Sequence, residues 1–187
     1  MSNTGPHKPG VTQWLGIIFL IVGALSASLV FRCATPFAAF AVFSAAILPW
    51  RVVLMTMAGM WLINQALGFG LLGYPATLDA VFWGVAVGTA AQLAALIAIT
   101  VLRRLARAGQ FTSYAVALVA SFAVYELCLL AIAAAVGETE NEAFAGNVIG
   151  WLALLNAIWL AALAALYEAA RLLEPVMRRR VARAAST

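Results

Sequence analysis

Long apolar runs separated by short polar breaks set the pattern of this chain. A polar leader, residues 1–10 with Pro6 and Pro9, gives way to an apolar run over 11–31. At about 1.5 Å per residue that run spans a hydrocarbon core of about 30 Å, so it predicts a first transmembrane helix. After a polar break at 32–35, Pro36 suits the first turn of a helix, and 36–50 is apolar but shorter than a usual crossing. This second segment reads as a short crossing or a re-entrant helix. A crossing is favoured because 38–48 holds no polar residue except Ser44. Residues 51–72 predict a third span, closed by Gly70, Gly73 and Pro75, which stop a helix and favour a turn. Spans four, five and six follow at 77–102, 111–136 and 143–173. The expected fold class is an all-α membrane protein, a bundle of six transmembrane helices, with five plus a re-entrant segment as the alternative. Its organisation is a leader over 1–10, one transmembrane domain over 11–174 and a basic cytoplasmic tail over 175–187.

Composition supports this reading. The chain is 65% hydrophobic and 10% charged, with a mean hydropathy of +1.01, outside the soluble range of about half apolar and a quarter charged. Apolar stretches recur to its end, which a lone signal peptide would not explain. The net charge of +4 does not point to nucleic acid, because the basic residues sit in short clusters beside apolar spans rather than on a polar face. They read as topology signals. With six crossings and both ends inside, Lys8, Arg51, Arg103, Arg104, Arg107, Arg171 and the arginines of 178–183 are cytoplasmic, and Arg32 alone faces out. With a re-entrant second segment, Arg32 and Lys8 exchange sides and the balance is unchanged. Either topology places the loop after span four inside and the Glu138, Glu140 and Glu142 loop outside. The expected location is a bacterial inner membrane.

Few residues in such a chain can carry chemistry. Glu126 lies deep in the fifth apolar run, where a carboxyl costs several kcal/mol unless it is protonated, paired or solvated. It is either a protonated residue bonded to a neighbouring helix or part of a ligand or ion site. Counting along the helices places other polar residues in the same outer half: Asn64 and Gln65 on span three, Asp79 at the start of span four and Asn147 at the start of span six. Trp83 follows Asp79 by four residues, and Trp151 follows Asn147 by four, so each aromatic shares a helix face with its polar partner. Polar groups with aromatic walls, opening outward, describe a binding pocket; singly, each is an ordinary interfacial tryptophan or helix-bridging amide. Gln92 and Asn156 lie deeper and are expected to join helices. Gly84/Gly88 and Gly146/Gly150 form GxxxG patterns, and Gly23/Ala27 with Ala24/Ser28 give span one a small-residue face; such faces pack helices within a bundle or dock a membrane partner.

Absences narrow the function classes further. Asp79 is the lone aspartate and His7, in the leader, the lone histidine, which excludes a two-aspartate protease, a bis-histidine haem and an HExxH zinc site. Neither a GxSxG nucleophile nor a P-loop occurs. An enzyme is not expected, nor a bound cofactor. Cys33 and Cys128 form no CxxC pair, and Cys128 reads as a buried thiol.

Taken together, the number of spans, the small-residue face of span one and the outward polar cluster resemble the substrate-binding S component of energy-coupling-factor (ECF) vitamin transporters. The resemblance covers nearly the whole chain at the level of architecture. It implies capture of a vitamin-like small molecule from outside, cobalamin among the candidates, with release driven by a transmembrane coupling subunit and cytoplasmic ATPases. The pocket residues it suggests are Asn64, Gln65, Asp79, Trp83, Glu126, Asn147 and Trp151, with Arg32 in a capping loop. Two other classes stay open: a non-catalytic accessory or assembly subunit working through its GxxxG faces, and a proton-coupled carrier with Glu126 as its proton site.

Overall fold

The computed structural model describes residues 35–138 and 144–184, with side chains described as far as 172. The first predicted span, Arg32 and Cys33, and most of the acidic loop lie outside the described residues. Among the described residues the fold is entirely helical: α1 (Phe37–Ile47), α2 (Trp50–Ala66, prolonged by a π-helical turn over Leu67–Leu71), α3 (Leu78–Arg104), α4 (Gln110–Val136) and α5 (Gly146–Ala184).

Four of these helices are long and apolar enough to cross a membrane, over Trp50–Leu71, Leu78–Arg104, Gln110–Val136 and Gly146–Leu172. At about 1.5 Å per residue the first is about 33 Å long and the others about 40 Å, each enough for a hydrocarbon core of about 30 Å. Their bounds fall within a few residues of spans three to six as predicted, except that α5 continues to Ala184, through most of the stretch expected as a basic tail. Local chemistry explains where they stop. Thr77 caps α3, its hydroxyl accepting from the Ala80 N–H at 3.2 Å. Gly137, at φ +80°, ends α4 in a Schellman motif, with Glu138 N–H bonded to the Ala133 carbonyl at 2.9 Å. The π turn closes α2 through a bond from Leu72 N–H to the Leu67 carbonyl at 2.9 Å, and the Tyr74 ring folds back over Gly68.

The second apolar segment behaves differently. Pro36 precedes it, Pro49 ends it, and the helix between them covers 11 residues, or about 16 Å, half the thickness of the core. The six-crossing count therefore rests on a first span outside the described residues and a second of half length. Residues Phe37 to Phe43 are 0–2% exposed on every side, because α1 is wrapped by α2, α3, α4 and α5 together. A helix apolar all round must be buried, and here protein supplies the burial.

Small residues let the long helices close around this short one. On α3, Ala90, Ala91, Ala94, Ala95 and Ala98 are completely buried and face α1 and α4. Larger rings fill the other sides: Phe37 packs on Tyr125, Phe40 on Trp159 and Phe43 edge-on to Tyr167, with centroids 5.7–6.1 Å apart. The Gly84/Gly88 pair serves packing inside the bundle, since Trp61 and Gln65 of α2 lie against it and the Trp61 indole N–H donates to the Gly84 carbonyl at 2.7 Å. Gln92 donates to the Leu54 carbonyl at 3.2 Å, joining α3 to α2 as expected.

Candidate functional site

The direction of α1 matters more than its length. Its C-terminal end lies beside Ile99, Leu102 and Tyr114 near the ends of α3 and α4. Its N-terminal end lies beside Asn64, about two-thirds of the way along Trp50–Leu71, and beside Tyr125 and Asn156, near the middle of α4 and of the membrane-length part of α5. Tyr125 stands about 22 Å along α4 from its start, close to half its length. The chain thus begins a helix, with its unpaired N–H groups, in the middle of an apolar bundle, and those groups need partners.

One side-chain acceptor comes from a neighbouring helix, and the Phe37 N–H is met within the chain by the Thr35 carbonyl at 2.8 Å. The Asn156 Oδ1 of α5 accepts from the Ala39 N–H at 3.0 Å, while its own Nδ2 donates to the Leu152 carbonyl at 2.9 Å. Asn156 joins helices, as expected, and does so at the one place where an interior helix start demands an acceptor. On the other side Asn64 donates through Nδ2 to the Thr35 hydroxyl at 2.8 Å, and Gln65 donates through Nε2 to the Asn64 Oδ1 at 3.3 Å. Asn64 and Thr35 are buried. The result is a polar belt at mid-depth through Thr35, Asn64, Gln65 and Asn156, gathered at the start of α1.

Glu126 follows Tyr125, which packs on Phe37 at this same end. It is half-buried, and one of its carboxyl oxygens, Oε1, is buried with no hydrogen-bond partner among the described residues. The hydroxyl of Ser121, one turn before Tyr125 on the buried face of α4, is in the same state. Two unsatisfied buried oxygens within five residues of one helix are unusual, since each carries a desolvation cost of about 1–3 kcal/mol.

The remaining candidates do not converge on this belt. Asp79 is exposed in the first turn of α3, and Trp83 is half-buried with its ring edge-on to Phe82. Asn147 and Trp151 are exposed in the first turns of α5, Trp151 at 54%. Depth was legible in the sequence, but rotation about each helix axis was not, and rotation turns these side chains outward. Arg32 lies outside the described residues. Thr35 and Asn156 were not among the expected pocket residues. A Thr-Pro pair opening an apolar segment was the available signal, since it marks a helix start. Cys128 is half-buried and free, and no group of three metal-binding side chains occurs among the described residues.

Compared with known protein families, curated proteins and solved structures, the chain matches none. The functional reading therefore rests on the geometry of the polar belt.

Proposed function

We propose that this protein is a multi-pass component of a bacterial inner membrane that captures a vitamin-like small molecule from the outer side for uptake, in the manner of the S components it resembles. The observation that carries the reading is the buried carboxyl oxygen of Glu126, without a hydrogen-bond partner among the described residues and next in sequence to Tyr125, which packs on the start of α1. Discontinuous helices with ends near the midplane are how transport proteins bring backbone polarity to a solute, and intramembrane carboxyls mark solute or ion paths. A solute with N–H or O–H donors would satisfy Glu126, while Asn64, Gln65 and Thr35, around the start of α1, give it orienting groups. Cobalamin, rich in amide donors, remains among the candidates. Release would use a transmembrane coupling subunit and cytoplasmic ATPases.

The test is thermal stabilisation of the purified protein across a panel of vitamins, followed by Glu126→Gln. One solute should raise the melting temperature of the wild type by mass action, and the variant should lose that response while staying folded and abundant. An undiminished response in Glu126→Gln would remove the carboxyl from the site. A second reading, an accessory subunit of a larger complex, is favoured by one feature: the Gly146/Gly150 face of α5 has no atom of the described residues within 4 Å of either added Cβ. Purification in mild detergent separates the two, because capture predicts ATPase subunits in the eluate and assembly predicts a different complex.

A further inference from the structure

At the opposite end of α1 from the polar belt, a cavity of about 500 Å³ opens between the α1–α2 junction, the last turn of α3 and the first turn of α4. Its volume falls within the range of small-ligand sites, about 300–1,000 Å³. The ends of three membrane-length helices meet here: α2 starts at Trp50, α3 finishes at Arg104 and α4 starts at Gln110. The cavity consequently lies at headgroup depth. Trp50, 46% exposed and stacked under the Arg51 guanidinium at 5.2 Å, is the aromatic expected at that level. Arg51, Arg103, Arg104 and Arg107 cluster at these ends, which assigns the opening to the cytoplasmic leaflet.

Its walls have two characters. Ala45, Ile99 and Leu102 form an apolar side, and Arg103, Gln110 and Tyr114 a polar one. Ser113 also lines it, but its hydroxyl already donates toward the Leu105 and Gly109 carbonyls at 3.0 and 3.1 Å. The polar groups are thus the Arg103 guanidinium and a Gln110 amide hydrogen-bonded to the Tyr114 phenol, which keeps its own O–H to donate; no carboxylate lines the cavity among the described residues, although Glu168 lies near enough to act on Tyr114. The start of α4 adds to the positive character, since no side chain caps it. Positive donors on one wall and hydrocarbon on the other, at headgroup depth, match an amphiphile with an anionic head. We infer that this cavity binds an anionic inner-leaflet phospholipid, its phosphate held by Arg103 with Gln110 and Tyr114, and its upper acyl chain laid along Ile99 and Leu102. Basic pockets between transmembrane helices are used in this way. This site is separate from the proposed solute site, at the other end of α1.

The experiment uses the full-length protein, delipidated in a neutral detergent, with its melting temperature followed as phosphatidylglycerol, phosphatidylcholine or inorganic phosphate is added. Phosphatidylglycerol should stabilise the protein saturably, with an effect that weakens at high salt. Phosphatidylcholine and inorganic phosphate should not. Arg103→Gln should raise the half-saturating concentration about tenfold, as expected for loss of one charged hydrogen-bond donor. Arg107→Gln, in the same loop but outside the lining, should leave it unchanged. Ala106→Phe fills the cavity while retaining the Arg103 guanidinium and should weaken binding as well, which keeps the test intact if Arg103→Gln fails to fold. Equal responses in wild type, Arg103→Gln and Ala106→Phe would overturn the site. Saturation by inorganic phosphate alone, or equal stabilisation by phosphatidylcholine, would overturn the anionic lipid as its occupant.

Discussion

Substituting Gly88 by alanine should loosen the bundle, although alanine is the better helix former. A Cβ at this position would stand 2.7 Å from Cε2, 2.8 Å from Nε1 and 3.0 Å from Cδ2 of Trp61, well inside the carbon contact distance of about 3.5–4.0 Å. The indole is rigid and cannot fold away from its end. To move, it must stretch or break the 2.7 Å bond from its N–H to the Gly84 carbonyl. Overpacking of this kind costs about 1–3 kcal/mol, and an indole N–H left without an acceptor adds about 1–3 kcal/mol. Against this stands a gain of about 1 kcal/mol in helix propensity. The net expectation is a loss of about 1–5 kcal/mol, read as the midpoint of unfolding in a mixed-detergent titration. Gly59→Ala is the control, because nothing lies within 4 Å of its added Cβ, and it should be neutral or stabilise by about 0.5–1 kcal/mol. In a Trp61→Phe background the penalty at position 88 should shrink, since the smaller ring has no N–H to strand. If Gly88→Ala proved as stable as Gly59→Ala, the account of how α2 seats on α3 would be wrong.

Two further substitutions probe the enclosed helix. Asn156→Ala removes the acceptor of the Ala39 N–H in the buried middle of the bundle, and should lower stability by about 1–3 kcal/mol, measured by the same titration. Phe40→Ala empties a fully buried position beside Trp159 and should cost about 3–5 kcal/mol. Leu78→Ala, at a residue 91% exposed, should change stability by less than about 0.5 kcal/mol.

The membrane-length helices were legible in the sequence to within a few residues, apart from the extension of α5 to Ala184. Their information is local: an apolar run of sufficient length, ended by Thr77, Gly137 or the 70–75 turn, meets the same requirement in any bundle. The helix-joining roles of Gln92 and Asn156 followed from the same logic, because an amide deep in hydrocarbon must find a partner on another helix. What hydropathy left open was the surroundings of residues 37–47. Lipid tails and packed side chains both demand an apolar surface, so a segment enclosed by four helices reads like a crossing. Only the structure placed the start of α1 in mid-bundle, where Thr35, Asn64, Gln65 and Asn156 gather around it.

The candidate site divides along the same line. Sequence position sets how deep a residue lies, because every residue advances a helix by a constant rise. Which way it points depends on how each helix is rotated against its neighbours, and that is settled by packing at sites remote in sequence, such as Trp61 and Gln65 on Gly84 and Gly88. Asp79, Asn147 and Trp151 have the expected depth and an outward face, whereas Glu126 keeps one oxygen buried with no partner among the described residues. The sequence by itself determined the long apolar helices and the depth of a carboxyl along one of them. Tertiary structure alone decided that a half-length helix, sheathed in protein, begins inside the bundle against Tyr125 and Asn156.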